Sequence, residues 1–512
     1  MFLGIDCGTQ GTKALILDTA TGKVLGQGSY PHTLHSVAGG RREQDPAQWI
    51  AAFEHATDQA LREAGIDGQS IRGIGVSGQQ HGLVLLNASG MVIRPAKLWC
   101  DTETTAENDR LLQFLGGPEG SLKRLGLVIA PGYTVSKLLW TKEQQPRAFN
   151  DIASILLPHD FLNHWLTGRH CTDYGDASGT GYFDVRKRCW DLPLLRTIDP
   201  SGRLEAALPE ILQPDEAVGT VRPEIARRLR INPAAIVSSG GGDNMMGAIG
   251  TGNIKPGEIT MSLGSSGTLY GYSHKPVISP SSEVATFCSS SGGWLPLICT
   301  MNLTNVTTSV RELFELDIEG FNRTVAKAPI AAEGLIMLPF FNGERVPPLP
   351  HAQGSLLGLT GNNLKAANVC RAAIEGTTFG LRYGLDLLRQ SGMPSHSIRL
   401  VGGGSKSPIW RQIVADIMNT PVICAKEPEA AALGAAIQAA WCAGGGETSL
   451  TALCRRCVKL DKSSQTQPIT ANVEAYDKVY ATYREHVLAL KQSPPPVTQA
   501  IKPGTFKHPA LR

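Results

Sequence analysis

Short apolar runs separated by glycine-rich turns predict a β-hairpin at the start of the chain. Residues 2–6 and 12–18 form two apolar strands, and residues 7–11 form the polar turn between them. After a second polar turn, a third strand is expected to return alongside the hairpin. The pair Asp45-Pro46 then begins a helix, because Asp is a favoured N-cap and Pro is favoured in the first turn.

The same pattern returns after the midpoint of the chain. Residues 258–263 form an apolar strand, residues 264–267 form a glycine-serine turn, and Thr268 starts the next strand. Two more apolar strands, at 236–239 and 398–401, each end in a run of three glycines. This recurrence predicts an internal duplication, in which two α/β lobes face each other across a central cleft.

The length of the chain also favours two lobes. A single hydrophobic core stops growing near ~250–300 residues, and this chain has 512. We expect an N-terminal lobe at 1–246 and a C-terminal lobe at 247–490. Residues 491–512 are rich in proline and lack hydrophobic periodicity, so they are predicted to form a flexible tail.

Composition narrows the class of protein. Hydrophobic residues make up 42% of the chain, which suits a packed globular protein, and charged residues make up only 18%. The net charge of +3 is not gathered in a basic run, so no nucleic-acid partner is expected. No signal peptide or membrane span is apparent and the cysteines are scattered, so we expect a cytoplasmic protein without a membrane partner.

The two hairpin turns are candidate phosphate sites. A tight turn of Gly with Ser or Thr exposes backbone N–H groups and hydroxyls, and Gly permits the backbone angles this requires. No G-x-x-x-x-G-K-[ST] motif is present, which disfavours a P-loop fold. Ordinary hairpins are the alternative, although two such turns in corresponding places favour a two-sided phosphate clamp. The candidate residues are Thr9, Gln10, Gly11, Thr12, Lys13, Gly264, Ser265, Ser266, Gly267 and Thr268.

Asp6 and Asp243 are candidate catalytic and metal-binding residues. Each follows an apolar strand and adjoins a glycine cluster. A carboxylate at a strand end can hold Mg²⁺, usually through water, and can accept a proton from a hydroxyl nucleophile. Phosphoryl transfer needs both roles, whereas the alternative is that each Asp caps its own turn.

Two further loops carry candidate ligand contacts. His81 lies beside Gln79 and Gln80, and these side chains could hydrogen-bond a polyol or could form a capped loop with a satisfied histidine. The run Gly402–Ser405, between a strand and a helix, lets the backbone lie against a planar ring or a phosphate. Close packing of the strand on the helix explains this glycine run equally well.

From its first residue to about residue 443, the sequence resembles the FGGY carbohydrate kinases. Cys100, Thr141 and Pro408 depart from the family pattern. Residues 43–46 and 78–82 resemble in particular the family members that act on xylulose. The resemblance is carried by Gly4-Ile5-Asp6-x-Gly8-Thr9-x-Gly11-x-Lys13, Glu43-Gln44-Asp45-Pro46, Gly78-Gln79-x-His81-Gly82, Pro131-Gly132-x-Thr134-x-x-Lys137-Leu138-Leu139-Trp140, Gly240-Gly241-Gly242-Asp243-Asn244, Leu263-Gly264-x-Ser266-Gly267-Thr268, Asn342-Gly343-Glu344-Arg345-x-Pro347, and Gly354-x-Leu356-x-Gly358-Leu359 with Asn368 and Glu375.

The resemblance implies two actin-like, ribonuclease-H-like lobes that close over a sugar and ATP with Mg²⁺. It implies ATP-dependent phosphorylation of a small ketose, in particular of D-xylulose to D-xylulose 5-phosphate. Asp243 would be the catalytic base, and Asp6 would help a metal ion to position the phosphates. The sugar would contact Gln79, Gln80, His81, Asp101 and Asn244, the ATP phosphates would meet both hairpin turns, and the adenine side would meet Gly403, Gly404 and Ser405.

Three alternatives remain open on the sequence. The nearest is a kinase for another ketose or polyol, such as ribulose, erythritol or arabinitol. The second is an actin-like or Hsp70-like ATPase, which shares both hairpins but does not account for the segments around His81 and Arg345. The third is a sugar-binding regulator without activity, which no DNA-binding helix pair or basic patch supports. A homodimer is left open.

Overall fold

A computed structural model describes residues 1–279 and 282–492. The strands are β1 (Phe2–Cys7), β2 (Gly11–Asp18), β3 (Lys23–Pro31), β4 (His35–Ser36), β5 (Arg42–Gln44), β6 (Gly73–Gly78), β7 (Val84–Leu86), β8 (Ala96–Lys97), β9 (Ser154–Leu156), β10 (Cys171–Asp173), β11 (Phe183–Asp184), β12 (Cys189–Trp190), β13 (Glu210–Leu212), β14 (Ala217–Thr220), β15 (Ile236–Ser238), β16 (Gly241–Gly242), β17 (Gly257–Leu263), β18 (Gly267–Gly271), β19 (Ala285–Cys288), β20 (Trp294–Thr300), β21 (Ile336–Leu338), β22 (Ser355–Leu357), β23 (Ser395–Val401), β24 (Val422–Ala425) and β25 (Leu460–Thr466). The α-helices are α1 (Pro46–Ala64), α2 (Thr105–Phe114), α3 (Gly117–Leu125), α4 (Thr134–Gln144), α5 (Pro146–Asn150), α6 (Pro158–Thr167), α7 (Tyr174–Ala177), α8 (Leu192–Ile198), α9 (Arg203–Ala206), α10 (Pro223–Leu229), α11 (Asp243–Thr251), α12 (Thr304–Leu313), α13 (Ile318–Ala326), α14 (Ala366–Gln390), α15 (Pro408–Met418), α16 (Ala430–Ala443), α17 (Leu450–Cys457) and α18 (Thr470–Gln492).

Both predicted hairpins are confirmed. Strand β1 pairs antiparallel with β2, and β17 pairs antiparallel with β18. The predicted helix start at Pro46 is also confirmed, because the Asp45 side chain accepts a hydrogen bond from the backbone N–H of Ala47. Along α1 the buried positions Trp49, Phe53, Ala56 and Ala60 recur every three or four residues, which is the spacing of a one-sided apolar face.

The first large sheet is drawn from the N-terminal half of the chain. Its strand order is β14-β15-β6-β1-β2-β3, and β16 pairs with β6 beyond that path. Strand β2 runs antiparallel to both of its neighbours, β1 and β3, whereas β6 lies parallel to β1 and β15 lies parallel to β6. The carboxyl ends of β1 and β6 therefore reach the same edge of the sheet.

The second large sheet repeats this topology in the C-terminal half. Its order is β19-β20-β18-β17-β23-β24-β25, with β17 and β18 antiparallel and β23 and β24 parallel to β17 and to each other. The central strands β20-β18-β17-β23-β24 thus match β3-β2-β1-β6-β15 in order and direction. The predicted α/β fold of two duplicated, actin-like lobes is confirmed.

A helix from each half of the chain contacts the other half. Helix α11 follows the first sheet in sequence, yet its Met245 and Ala248 belong to the same buried cluster as Tyr270 of β18. Helix α16 follows β24 of the second sheet, yet its backbone lies against β1 and β6, where a Cβ on Gly4 would meet the Ala432 carbonyl oxygen at 1.9 Å. The two halves therefore share one continuous packed interface.

Helices α11 and α16 cross at a pair of glycines. A Cβ on Gly250 would lie 1.8 Å from the carbonyl oxygen of Ala430, and a Cβ on Gly434 would lie 1.8 Å from that of Met246. Only a residue without a side chain permits two helix backbones to approach this closely. The crossing therefore requires glycine at both positions.

The C-terminal tail and membrane-spanning helices were two further subjects of prediction. Residues 491 and 492 are the last residues of α18, and the rest of the predicted tail, 493–512, lies outside the described residues. Among the described residues, none of the helices combines the length and apolar character needed to cross a membrane.

Candidate active site

Two carboxylates meet where the first sheet ends. Asp6 lies near the end of β1, and its Oδ1 accepts a hydrogen bond of 2.9 Å from the Ser77 hydroxyl at the end of β6. Asp243 is the first residue of α11. Burial raises the pKa of Asp6 to about 6, and burial together with the charge of Asp6 raises the pKa of Asp243 to about 7. The structure thus brings the two predicted carboxylates close enough for their charges to interact, and each residue is half-buried.

Asn244 and Gln80 add polar groups beside Asp243 that a ligand could contact. The Asn244 side-chain amide donates to Asp243 Oδ1 and to Gln80 Oε1, both at 2.9 Å. Gln80 Nε2 is buried and has no hydrogen-bond partner among the described residues. A buried amide donor that is left unpaired costs about 1–3 kcal/mol, so a ligand oxygen that accepts from it would be strongly favoured.

His81 lies in the same loop with an unusual backbone. Its φ of 64° is in the left-handed region, and its ring packs at a tilt against Tyr133 and Phe287, with centroids 4.7 Å and 5.6 Å away. Burial, with the positive charges of Lys137 and Arg345, lowers the pKa of His81 to about 3. The imidazole is therefore neutral and can only donate or accept hydrogen bonds at physiological pH.

Lys137 holds this loop in place. Its ammonium donates to the carbonyl oxygen of His81 at 2.5 Å and to that of Gly132 at 2.8 Å, and the Thr134 hydroxyl also donates to the His81 carbonyl, at 3.2 Å. Sequence reasoning gave Lys137 no function, although it lies in segment 131–140, which carries part of the family resemblance. Lys137 thereby stabilises the left-handed backbone conformation that orients the His81 side chain.

The first hairpin turn faces both halves of the protein. Lys13 Nζ forms an ion pair with Glu429 Oε2 at 2.5 Å, and Glu429 is the residue that precedes α16. The Thr12 hydroxyl lies 3.0 Å from His32 Nε2, and His32 Nδ1 lies 3.0 Å from the Gly8 carbonyl oxygen. Sequence reasoning missed both His32 and Glu429, because no pattern near the turn indicates these partners.

The second hairpin turn adjoins the predicted glycine loop. A Cβ on Gly402 would lie 2.8 Å from Leu263, at the end of β17, and a Cβ on Gly404 would lie 2.9 Å from the same residue. The structure therefore brings Gly403, Gly404 and Ser405 beside the turn at 264–267. A Cβ on Gly403 would meet nothing within 4 Å, so this part of the loop faces open space. Both features fit a loop that a nucleotide approaches closely.

Asp101 lies in a buried ion-pair network instead of an open pocket. Its Oδ2 accepts from Lys97 Nζ at 2.9 Å and from the Arg42 backbone N–H at 2.8 Å. Lys97 Nζ also lies 2.5 Å from Glu103 and 3.4 Å from Glu43. These three acidic groups have the spacing of metal ligands, but the lysine ammonium already lies among them. We therefore interpret the cluster as structural, and a contact of Asp101 with sugar stays a prediction.

Asn368 and Glu375, which carry part of the family resemblance, support a strained turn. Ala331, Ala332 and Glu333 all have left-handed backbone angles, with φ of 64°, 46° and 56°. Glu375 Oε1 accepts from the Ala331 backbone N–H at 3.2 Å, and the Asn368 amide donates to Glu333 Oε2 at 3.1 Å. Left-handed residues other than glycine persist only where neighbours hold them. Asn368 and Glu375 thus stabilise the left-handed conformation of this turn.

The fold and this site together define a class of protein: a two-lobed phosphotransferase that has paired carboxylates and a glycine-rich hairpin turn in each lobe. The sequence profile of the FGGY family of carbohydrate kinases matches at residues 1–250 for the N-terminal domain and at 287–443 for the C-terminal domain. The chain belongs to the FGGY family of carbohydrate kinases.

Several proteins of similar sequence or structure are sugar kinases. A xylulose kinase from Haemophilus influenzae is 50% identical over 494 residues, which is 96% of this chain and 100% of that protein. The crystal structure of a xyloylose kinase from Brucella ovis superposes with a TM-score of 0.88 at 30% identity, covering 96% of this chain and 99% of that chain. A ligand-bound xylulose kinase from Lactobacillus acidophilus gives a TM-score of 0.89 at 26% identity, covering 96% and 98%.

Proposed function

We propose that the protein transfers the γ-phosphoryl group of ATP to D-xylulose and forms D-xylulose 5-phosphate. The observation that carries this proposal is the chain of contacts from Asp243 through Asn244 to the unpaired amide of Gln80, which combines a base with a polar ligand site. The xylulose kinase of H. influenzae, half identical to this chain over its full length, supports the choice of sugar.

In the proposed mechanism, the sugar lies against Gln80, His81 and Asn244, and the terminal hydroxyl reaches Asp243. The carboxylate, with its pKa of about 7, takes the hydroxyl proton while the oxygen attacks the γ-phosphorus in line. The bond from the γ-phosphorus to the β,γ-bridging oxygen breaks, and ADP leaves with that oxygen. The neutral ring of His81 contributes hydrogen bonds without adding charge. Closure of the lobes would exclude water and align the two reactants.

The nucleotide would span the two lobes. Its phosphates would meet residues 9–13 and 264–268, and its base would lie along residues 403–405. Asp6 and Asp243 fit Mg²⁺ as ligands through water, because they are two neighbouring carboxylates with hard oxygen donors. When bound, the ion would neutralise charge on the phosphate oxygens. Gln79 and Asp101 remain proposed sugar contacts, although both side chains are engaged within the protein.

The remaining proposals concern the whole chain. We place the boundary between the lobes near residues 246 and 247, and this boundary falls within α11. A cytoplasmic location and a homodimer are proposals as well. The small sugar substrate and ATP are the partners that the site itself supports.

The test is sugar-dependent release of ADP by the purified protein. D-xylulose, D-ribulose, erythritol, D-arabinitol and a sugar-free control are compared at one ATP concentration. We expect the highest kcat/KM with D-xylulose. A higher kcat/KM with another member of the panel would reassign the substrate, and ATP turnover indifferent to sugar would favour the ATPase alternative.

Asp243→Asn tests the base within the same assay. General bases typically contribute ~10²–10⁴-fold, so turnover should fall by at least ~10²-fold while sugar binding and the fold persist. Asp109→Asn is the matched control, since Asp109 is exposed on α2. An Asp243→Asn protein with near-normal turnover would remove Asp243 from this role.

A further inference from the structure

Two consecutive glutamines point in different directions from the end of β6. Gln80 turns toward Asn244 and thereby toward Asp243. Gln79 turns toward the first hairpin turn, where its Oε1 accepts from the Thr9 hydroxyl at 2.9 Å. The dipeptide therefore lies between the proposed sugar site and the proposed phosphate turn.

Gln44 connects this dipeptide to the turn. Its Nε2 donates to the Thr9 carbonyl oxygen at 2.7 Å, and its Oε1 accepts from Gln79 Nε2 at 2.9 Å and from Trp49 Nε1 at 3.0 Å. The side chain of Gln44 is fully buried, and Gln79 is only 1% exposed. From the other side, Trp99 Nε1 donates to the Thr9 hydroxyl at 2.9 Å.

The bonding leaves little freedom at Thr9. Its hydroxyl donates to Gln79 and accepts from Trp99, and its carbonyl oxygen accepts from Gln44. A buried polar network whose members are all satisfied is rigid, because any movement leaves a polar group unpaired in a low-dielectric setting. A shift of the sugar loop must therefore move the phosphate turn with it.

We propose that Gln44 is a positioning residue that makes the sugar loop and the phosphate turn one unit, so that each substrate strengthens the binding of the other. This inference rests on the proposed function for the identity of the two ligands. Gln44 touches neither ligand; it acts through Gln79 and Thr9. Sugar held by Gln80 fixes the dipeptide, and the dipeptide fixes the backbone N–H groups of the turn.

The experiment measures the dissociation constant of a non-hydrolysable ATP analogue with and without saturating D-xylulose. Couplings between sites typically amount to ~5–150-fold, and we expect the native protein to lie in this range. Gln44→Met keeps the length of the side chain and removes its three hydrogen bonds. The ratio of the two dissociation constants should then fall to below ~2, while sugar affinity measured without nucleotide changes less than ~3-fold.

Two further variants distinguish a loss of coupling from a general structural effect of the substitution. Trp99→Phe removes only the bond to the Thr9 hydroxyl and should lower the coupling ratio by a smaller factor, so the proposal stays testable if Gln44→Met fails to fold. Gln48→Met is the matched control, because Gln48 is a glutamine of α1 that accepts from the Thr33 backbone N–H at 3.0 Å. It should leave the coupling ratio unchanged.

The outcomes separate the two proposals. A native protein without coupling, or folded Gln44→Met and Trp99→Phe proteins that retain the full ratio, would overturn the positioning role. In that case sugar phosphorylation itself could still proceed normally. A protein that neither binds nor phosphorylates any sugar of the panel would instead overturn the proposed function.

Discussion

At the scale of single residues, the two central carboxylates differ from ordinary ones in their protonation. Burial and the charge of Asp6 raise the pKa of Asp243 to about 7, and burial raises that of Asp6 to about 6. A base poised near the working pH combines an available unprotonated form with a strong drive to take a proton. Burial and the charge of Asp6 thus bring the pKa of Asp243, the proposed base, close to neutral pH.

This tuning predicts the pH dependence of the reaction. Both groups must be unprotonated to act, so activity is lost as pH falls and not as it rises. A plot of log kcat/KM against pH should be level above pH 7, bend to a slope of one below about 7 and steepen to two below about 6. ADP is measured directly at each pH, and activity is checked after return to pH 8. A level profile down to pH 5 would contradict the assignment.

The sequence indicates candidate residues of the site more readily than it indicates their contacts in the fold. Asp6 and Asp243 could be foreseen because each carboxylate follows an apolar strand beside glycines. Lys13 could be foreseen beside the turn, but its partner Glu429 lies 416 residues away, where no local pattern connects the two. The roles of Gln44 and Lys137 likewise depend on contacts between distant loops.

At the scale of elements, local patterns predict the hairpins and the starts of helices well. Ser407 and Pro408 are a favoured N-cap and first-turn pair and begin α15, with the Ser407 side chain accepting from the Trp410 backbone N–H. Helix α16 is different, because alanine predominates on all its sides. A helix that is apolar all round indicates burial but not which sheet it covers. Its position on the first sheet could not be predicted from the sequence.

The crossing of α11 and α16 gives a prediction about stability. In Gly434→Ala the new methyl would lie 1.8 Å from the Met246 carbonyl oxygen, so the helices must separate. Overpacking typically costs ~1–3 kcal/mol, which exceeds the ~1 kcal/mol that Ala gains over Gly in a helix. We expect the free energy of unfolding to fall by up to ~2 kcal/mol, which is about 2 °C in the calorimetric melting temperature, because one cooperative unit of 512 residues has an unfolding entropy of ~1 kcal/mol per kelvin.

Gly361→Ala serves as the control for this substitution. A Cβ at Gly361 would meet nothing within 4 Å, and its backbone is not in the left-handed region. Its melting temperature should stay within about 0.5 °C of the native value, because surface changes usually alter the free energy of unfolding by less than ~0.5 kcal/mol. Equal melting temperatures for both variants would mean that the helices have room at their crossing.

At the scale of the whole molecule, the two halves are one cooperative structure. Side chains of α11 share a buried cluster with β18 of the second sheet, and α16 packs on the first sheet, so neither half can unfold alone without exposing apolar surface of the other. We therefore expect a single calorimetric transition whose van't Hoff and calorimetric enthalpies agree. A fragment of residues 1–250 should bind a hydrophobic dye strongly, since it lacks α16. Two separable transitions would contradict this shared interface.

The exchange of helices also constrains how the chain is made. When residue 250 has been synthesised, about 190 more residues must follow before the end of α16 is available. At ~5–20 residues per second this takes about 10–40 s, during which the apolar face of β1 and β6 has no cover. The nascent polypeptide would need protection from self-association on the ribosome throughout that interval. Slowing translation beyond codon 250 should therefore lower the yield of native enzyme more than slowing it near the start.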